Sequence, residues 1–442
     1  MAYPPTATSG VAAPTTPMPA ARAMLWVLLL VYILNFLDRQ ILNILAEPIK
    51  AELGLSDTQL GLLAGPAFAV FYAVLGIPIA RYADRASTNR VTLISVSLAV
   101  WSLMTALCGF VGNFWQLLMA RIGVGVGEAG CTPSAHSLIA DSVPAERRSS
   151  AIAFFGLGVP IGSLLGLIIG GTVNDLYGWR AALWLVGAPG LLLALVVPLL
   201  IKEPRSPASR AAAREAERSP DPSAPARQSV ASAIREAFSS KAFTWLFIAA
   251  SVTAFLSYGK GLWTISFFIR SHGLSTTQAG LSMAIALGVA GIIGTWLGGK
   301  IADVYGTKDK RHLLTFPAYG MAIAAPILFL GYTVESWQIA VLLLIVPTIL
   351  NAAYYGPAYA CVQGLVRPEL RSVAASMVVF GQNLIGLGAG PLAFGMLSDY
   401  LQPVAGQESV RWVLYGAAWL GLIPAFFFWR ASLLLGKEMK SG

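Results

Sequence analysis

Stretches of about 20 or more mostly apolar residues recur along this chain, each long enough to cross a hydrocarbon core of about 30 Å as a helix. Twelve such spans are read, at 24–49, 58–80, 91–110, 114–141, 148–172, 180–201, 242–269, 276–301, 312–332, 337–364, 372–398 and 411–434. A large soluble α protein with buried helices would need polar faces that most of these runs lack. Its charged content would also be higher: 12% of the 442 residues are charged, against about a quarter in soluble domains. The predicted class is an all-α integral membrane protein of twelve transmembrane helices.

An even number of spans puts both termini on one side, and the distribution of Lys and Arg chooses the side. One set of loops holds Arg81, Arg85, Arg90, Arg147, Arg148, Lys300, Lys308, Lys310, Arg311, Arg367 and Arg371, with Lys437 and Lys440 in the tail. The opposite set holds little beyond Lys50, Arg180, Arg270 and Arg411. Both termini are therefore predicted cytoplasmic, in a multi-pass protein of the cell (inner) membrane. The same asymmetry accounts for the net charge of +9 without nucleic acid as a partner. Cys108, Cys131 and Cys361 have no metal-type spacing and read as small packing residues.

Residues 1–21 are Pro/Ala/Thr-rich and are predicted to be a disordered cytoplasmic tail, with no basic region before a short apolar core as a signal peptide has. Residues 22–201 form the first six-helix bundle, 202–241 a cytoplasmic linker, 242–436 the second bundle and 437–442 a tail. The end of the linker, "VASAIREAF", reads as a short interfacial helix. The bundles repeat each other. "GLSDTQLGLL" at 54–63 pairs with "GLSTTQAGLS" at 273–282, and the same spacing aligns Ala80 and Asp84 with Gly299 and Asp303. "PAERRSS" at 144–150 pairs with "RPELRSV" at 367–373, aligning Glu146 with Glu369 and Arg148 with Arg371. Several matches in register on either side of a linker indicate duplication. A duplicated six-helix unit points to a transporter that rocks two halves about a site near the midplane.

These residues resemble the major facilitator superfamily, whose fold is two pseudo-symmetric six-helix bundles working by alternating access. The family's loop after the second helix, a Gly four residues before an Asp, is matched by Gly299 and Asp303. In the first half Asp84, Arg85 and Arg90 match, while Ala80 replaces the glycine. Arg121 with Gly123, Gly125 and Gly127 matches the fourth-helix motif, and Gly158, Pro160 and Gly162 approximate the fifth. "LNFLDRQILN" with "RIGVGVGEAGCTPSAHSLIAD" is similar to the spinster-like group, which is linked to the movement of lysophospholipids and sphingolipid-type amphiphiles. Bacterial members of that group are proposed to be proton-coupled. An Asp-Arg pair in the first helix and an Arg and a Glu in the fourth recur there; here they correspond to Asp38, Arg39, Arg121 and Glu128. The anion:cation symporters of organic and sugar acids look similar in the first helix.

Charges inside the spans are Asp38, Arg39, Arg121, Glu128 and Lys260. One at the bilayer centre costs roughly 2.5–3.5 kcal/mol on insertion scales, so they are expected to face the interior, a water-filled cavity or one another. Arg121 and Glu128 are nearly two turns apart on one helix face, about 10.5 Å along the axis. Asp38 and Arg39 are expected to close that gap in a first-span/fourth-span cluster. Burial opposes a carboxylate's charge and a nearby guanidinium supports it. Asp38 and Glu128 are thus candidate proton carriers, the alternative being permanent salt-bridge partners. Arg39, Arg121, Lys260, Tyr355, Gln382 and Asn383 are the candidate substrate contacts, with Tyr258, Trp263, Tyr354 and Tyr359 as further lining. Lys260 either binds an anionic headgroup or snorkels towards an interface. His136 reads as a structural, hydrogen-bonded residue. Asp84, Arg85, Arg148, Asp303 and Arg371 are the candidate gating residues, Arg148 and Arg371 pairing with the acids to stabilise one rocking state.

"GVGEAG" at 125–130 fits a dinucleotide-binding pattern, but it lies inside an apolar span without a strand-turn-helix context. Its glycines instead let helices approach. There is no P-loop, no paired metal-ligand set and no nucleophile-base arrangement, so neither an enzyme nor a nucleotide-driven pump is expected, and no cofactor or metal. The expected function is secondary active transport of an amphipathic or anionic, lysolipid-like solute, coupled to protons. The alternatives are symport of small organic or sugar acids, or a non-transporting receptor on the same fold. Expected partners are a small-molecule or lipid substrate, protons and membrane lipids, with the chain acting as a monomer.

Overall fold

Hydropathy dictates long helices, and the computed structural model is built of them. It describes residues 18–218, 230–306, 308–367 and 370–439. The readings made above for residues 1–17, 219–229, Glu369 and Lys440 lie outside these. Among the described residues nine helical segments are long and apolar enough to cross a membrane. Two of them are double. Glu146–Leu200 and Arg371–Glu438 have 55 and 68 residues, where one crossing at 1.5 Å per residue takes about 20. The first breaks at Gly178, at φ 82°, and the second at Gly406, at φ 57°, left-handed conformations that glycine adopts without a Cβ penalty. Phe114–Glu128 and Cys131–Ser142 make a further crossing, interrupted at Ala129–Gly130. The result is twelve membrane helices in two six-helix bundles, as the apolar runs predict.

Matching local signals start matching helices in the two halves. Ser56 and Gln59 form a capping box before Asp57–Ala64, the start of the second span, and Ser275 and Gln278 form one before Thr276–Met283, the start of the eighth. The second span continues as Pro66–Asp84, while the first is Met18–Leu53, the third Arg90–Cys108 and the seventh Lys241–His272. The eighth and eleventh spans are locally widened to π-helix at Ala284–Val289 and Gln382–Ala389.

Three apolar cores set the shape. One draws on both halves, joining Ile41, Ile44 and Leu63 to Leu256, Phe267 and Phe394. The buried members of the other two each come from one half, around Trp101 and Phe155 in the first, with Leu387 of the second half packed against them, and around Phe243 and Phe428 in the second. The molecule is thus sealed at one end, where the first, second and fifth spans meet the seventh, eleventh and eighth, and split at the other. Glycines allow the seal: a Cβ on Gly61 would lie 2.5 Å from Pro391 O of the opposite half.

The end of the linker forms the short helix expected there, while its first part departs from the sequence reading. "PASRAAAREAER" forms a helix at Pro207–Arg218, as its Ala, Arg and Glu content favours, and Val230–Ser239 forms a second. Its first residues are anchored. Fully buried Arg90 donates to Asp141 Oδ2 at 2.7 Å and to Glu203, whose Oε2 also accepts from the Arg90 backbone N–H at 2.7 Å. Arg90 is therefore no exposed loop cation. Arg90→Ala leaves Glu203 buried without its cation, a change that costs about 3–5 kcal/mol for a buried pair. A clear drop in the thermal unfolding midpoint of the detergent-solubilised protein is expected, and an unchanged midpoint counts against a structural role.

Candidate functional site

The first-span charges diverge because adjacent helical positions differ by about 100°. Asp38, buried on the third-span side, accepts a hydrogen bond from the Thr105 hydroxyl. Arg39 turns to the fourth span, where its Nε lies 2.7 Å from Glu128 Oε2. Its guanidinium also sits over three rings, at 4.9 Å from the centroid of Phe36, 4.8 Å from Phe68 and 4.6 Å from Tyr72. Such stacking suits a planar, weakly hydrated cation. Arg39 keeps 15% of its side chain exposed, whereas Glu128 keeps none.

Arg121, nearly two turns from Glu128 on the same span, also lies near Phe68, 5.6 Å from its centroid. It forms no ion pair within 4 Å among the described residues, and its Nε has no hydrogen-bond partner. The four charges lie within electrostatic reach of one another, Asp38 facing Glu128, Arg121 and Arg39, but they do not form a single chain of ion pairs. Arg39 and Glu128 pair directly, Phe68 is shared by both arginines, and Asp38 is held by a hydroxyl. Asp38 Oδ1, Glu128 Oε1 and Asn35 Oδ1 likewise have no donor among the described residues.

The second half contributes tyrosines. Tyr258 and Tyr355 are 38% and 40% exposed, and Tyr258 lies within electrostatic reach of Arg39 and Tyr72 across the interface. Behind them Gln382 is buried and satisfied, donating to Tyr354 Oη at 3.0 Å and accepting from Tyr359 Oη at 2.8 Å. Gln382 is thus a brace for the tyrosines in this state and not an open contact. Asn383 follows it, half-buried, in the π-helical segment. Lys260 is placed elsewhere. It lines a crevice inside the second bundle with Thr253, Ser257, Met321 and Asn351, whose free space of about 10 Å³ suits one water. It meets no ion-pair partner among the described residues and is not brought against Asp38 or Arg39.

The candidate gating residues lie at the split end. Asp84 and Asp303 are exposed. Arg148 Nε donates to Val143 O at 3.1 Å and does not pair with Asp84, and Arg371 Nε donates to Gln363 O at 3.1 Å. The expected Asp84–Arg148 pair is not found among the described residues, the Arg148 guanidinium being turned to the Val143 carbonyl instead. Arg85 packs its guanidinium 5.8 Å from the Tyr82 centroid. His136 sits against Phe155, ring centroids 5.6 Å apart, with no hydrogen bond among the described residues to support the hydrogen-bonded reading.

Charge pairs missed in the sequence hold the sealed end. Arg270 of the seventh span bridges Glu47 at 2.8 Å and Asp57 at 2.6 Å, and Lys50 also bonds Asp57. Lys50 and Arg270 read as ordinary loop cations. The clue to a shared role is Asp57, the acid that opens one copy of the repeated "GLS" motif.

This arrangement has known counterparts. The sequence profile of the Major Facilitator Superfamily matches residues 28–391. An "MFS-type efflux pump" of Mycolicibacterium smegmatis is 34% identical, the alignment covering 93% of this chain and 92% of that protein. Human "Protein spinster homolog 1" is 28% identical over 88% of this chain and 75% of its own length. A solved bacterial homologue of the human lysosomal transporter spinster, in an inward-facing and unoccupied conformation, superposes with a TM-score of 0.83. It shares 30% identity, with 96% of this chain and 99% of that one covered. The chain belongs to the Major Facilitator Superfamily of membrane transporters and, within it, is related to the spinster proteins.

Proposed function

We propose that the chain is a proton-coupled secondary transporter of an amphipathic, anionic organic solute of the lysolipid type. The observation that carries this reading is Arg39: partly exposed, tied by Nε to Glu128, and walled by Phe36, Phe68 and Tyr72. A guanidinium framed by rings suits an anionic headgroup with apolar surface beside it. Tyr258 and Tyr355 extend that apolar wall from the second half. In this reading Arg39 and Arg121 meet the headgroup, and Asp38 and Glu128 are the candidates for the proton. The chain works as a monomer, since its two halves already supply both walls of the cavity.

The basic residues at the split end support a cytoplasmic position for that end by the positive-inside rule, with both termini there. The membrane is then the cell (inner) membrane and the conformation inward-facing. Asp84, Arg85, Arg148, Asp303 and Arg371 are the groups that come together when this end closes. The likeness to the inward-facing spinster homologue supports this orientation.

Flux in proteoliposomes tests the reading. A lysophospholipid and an aromatic carboxylate are offered with and without an imposed pH gradient. Gradient-dependent flux of the lysophospholipid is expected. Flux of the carboxylate alone would instead favour the organic-acid symporter, and no flux of either would favour a receptor on the same fold.

A further inference from the structure

The sealed end is built twice, in crossed fashion. In one seam, Asp399 near the end of the eleventh span accepts the backbone N–H groups of Asp57, at 3.0 Å, and Thr58, at 2.8 Å. Ser398 donates to Asp57 Oδ2 at 2.6 Å. One turn earlier, a Cβ on Gly395 would stand 2.8 Å from Asp57 C. In the other seam, Asp175 near the end of the fifth span accepts the Thr277 N–H at 2.8 Å and the Thr276 hydroxyl at 2.6 Å. Asn174 donates to Thr276 Oγ1 at 2.9 Å, and one turn earlier a Cβ on Gly171 would stand 2.9 Å from Thr276 C.

The equivalences run along the duplication. Asp57 and Thr276 are matching positions of the repeated "GLS-x-TQ" motif, and Gly171, Asn174 and Asp175 match Gly395, Ser398 and Asp399 at one constant spacing. Each half thus offers a Gly, then an Asn or Ser followed by an Asp, to the start of the second helix of the other half.

The first N–H groups of a helix lack intrahelical partners. Ser56 and Ser275, within each half, serve only the N–H of Gln59 and Gln278. The N–H groups at the very start, of Asp57, Thr58 and Thr277, are served by the opposite half. A carboxylate is favoured there by the helix dipole as well. These bonds exist only while this end is closed, so they act on the balance between states and not on the fold of either half.

We propose that Asp175 and Asp399 are gating residues: a crossed pair of caps that latches this end shut and must be released for the opposite-facing state. The latch rests on alternating access and not on which solute is carried. Removing a helix cap is worth about tenfold in an equilibrium, so Asp175→Ala and Asp399→Ala are each expected to raise the open-to-closed ratio by about that factor. The double variant is expected to approach about 100-fold if the seams act independently.

The test uses the full-length protein in lipid nanodiscs. Spin labels are placed through Tyr177→Cys and Val404→Cys, at strongly exposed positions of opposite halves at this end, with buried Cys108, Cys131 and Cys361 replaced by serine. Pulsed electron spin resonance reads the distance distribution. A growing long-distance population in the order native, single, double supports the latch, provided the thermal midpoint stays near that of the native protein. An unchanged distribution in the double variant overturns it. So does a midpoint loss as large as that of Arg90→Ala, which would make the contacts merely structural. Neither readout involves substrate, so failure of the lysolipid reading leaves this result interpretable.

Discussion

Replacing Arg39 with alanine is expected to lower flux of an anionic amphiphile by at least about 100-fold, the effect of losing roughly 2.7 kcal/mol at about 1.4 kcal/mol per factor of ten. The side chain removed supplies the exposed cation of the cavity, and its three ring contacts collapse with it. The same change strands Glu128, fully buried, without its partner at 2.7 Å. Breaking a buried pair from one side costs about 3–5 kcal/mol, so the unfolding midpoint is expected to fall as well. Two further variants separate the effects. Arg39→Ala with Glu128→Ala removes both charges and is expected to recover most of the midpoint but none of the flux. Arg39→Lys keeps the charge but loses the planar group that stacks between rings, and is expected to recover only part of the flux. Proteoliposome flux and thermal unfolding on the same preparations decide. Native flux in Arg39→Ala would remove the residue from the substrate site.

How far the site was legible depended on whether a contact lies within one helix or between two. The spacing of Arg121 and Glu128 fixes a common face, and adjacent positions in the first span force Asp38 and Arg39 apart; both survive in the structure. Contacts between helices need the rotation of each about its axis, which hydropathy leaves open. Thr105, the partner of Asp38, is one hydroxyl in an apolar span and carries no distinguishing signal. Phe68 and Tyr72 stand one turn apart and so share a face, a pattern that many packing aromatics show. Lys260 drew attention as a lone charge, but its helix face turns into the second bundle. The Asp84–Arg148 pairing failed on a local choice of the same kind: the Arg148 guanidinium takes the Val143 carbonyl, which sequence does not foretell. The fold was more legible, since apolar length and the "GLS-x-TQ" repeat give twelve spans in two halves. The first helix within the linker was less so, because residues 207–218 combine strong helix formers with linker-like polarity.

Asp38→Asn is expected to uncouple transport from the proton gradient while leaving downhill exchange of substrate in place. The two buried carboxylates differ in how firmly their charge is held. Glu128 accepts a guanidinium N–H at 2.7 Å, a charge-assisted bond that would be weakened if the carboxylate took up a proton. Asp38 has no ion pair within 4 Å among the described residues; one oxygen takes the Thr105 hydroxyl and Oδ1 meets no donor. A carboxyl so placed can exchange a proton without breaking a salt bridge, and its charge then alters the field at Arg121. Asparagine keeps the size of the side chain but is neutral in every state. Flux driven by a pH gradient is therefore expected to fall to the level seen without one, and the pH dependence of exchange to flatten. Glu128→Gln makes the contrast: it releases Arg39 from its anchor, so apparent substrate affinity is expected to change along with rate. The measurement is uptake with and without an imposed gradient, against counterflow at equal pH on both sides. If Asp38→Asn still responds fully to the gradient, the proton travels by another group, and Glu128 is then the one to test.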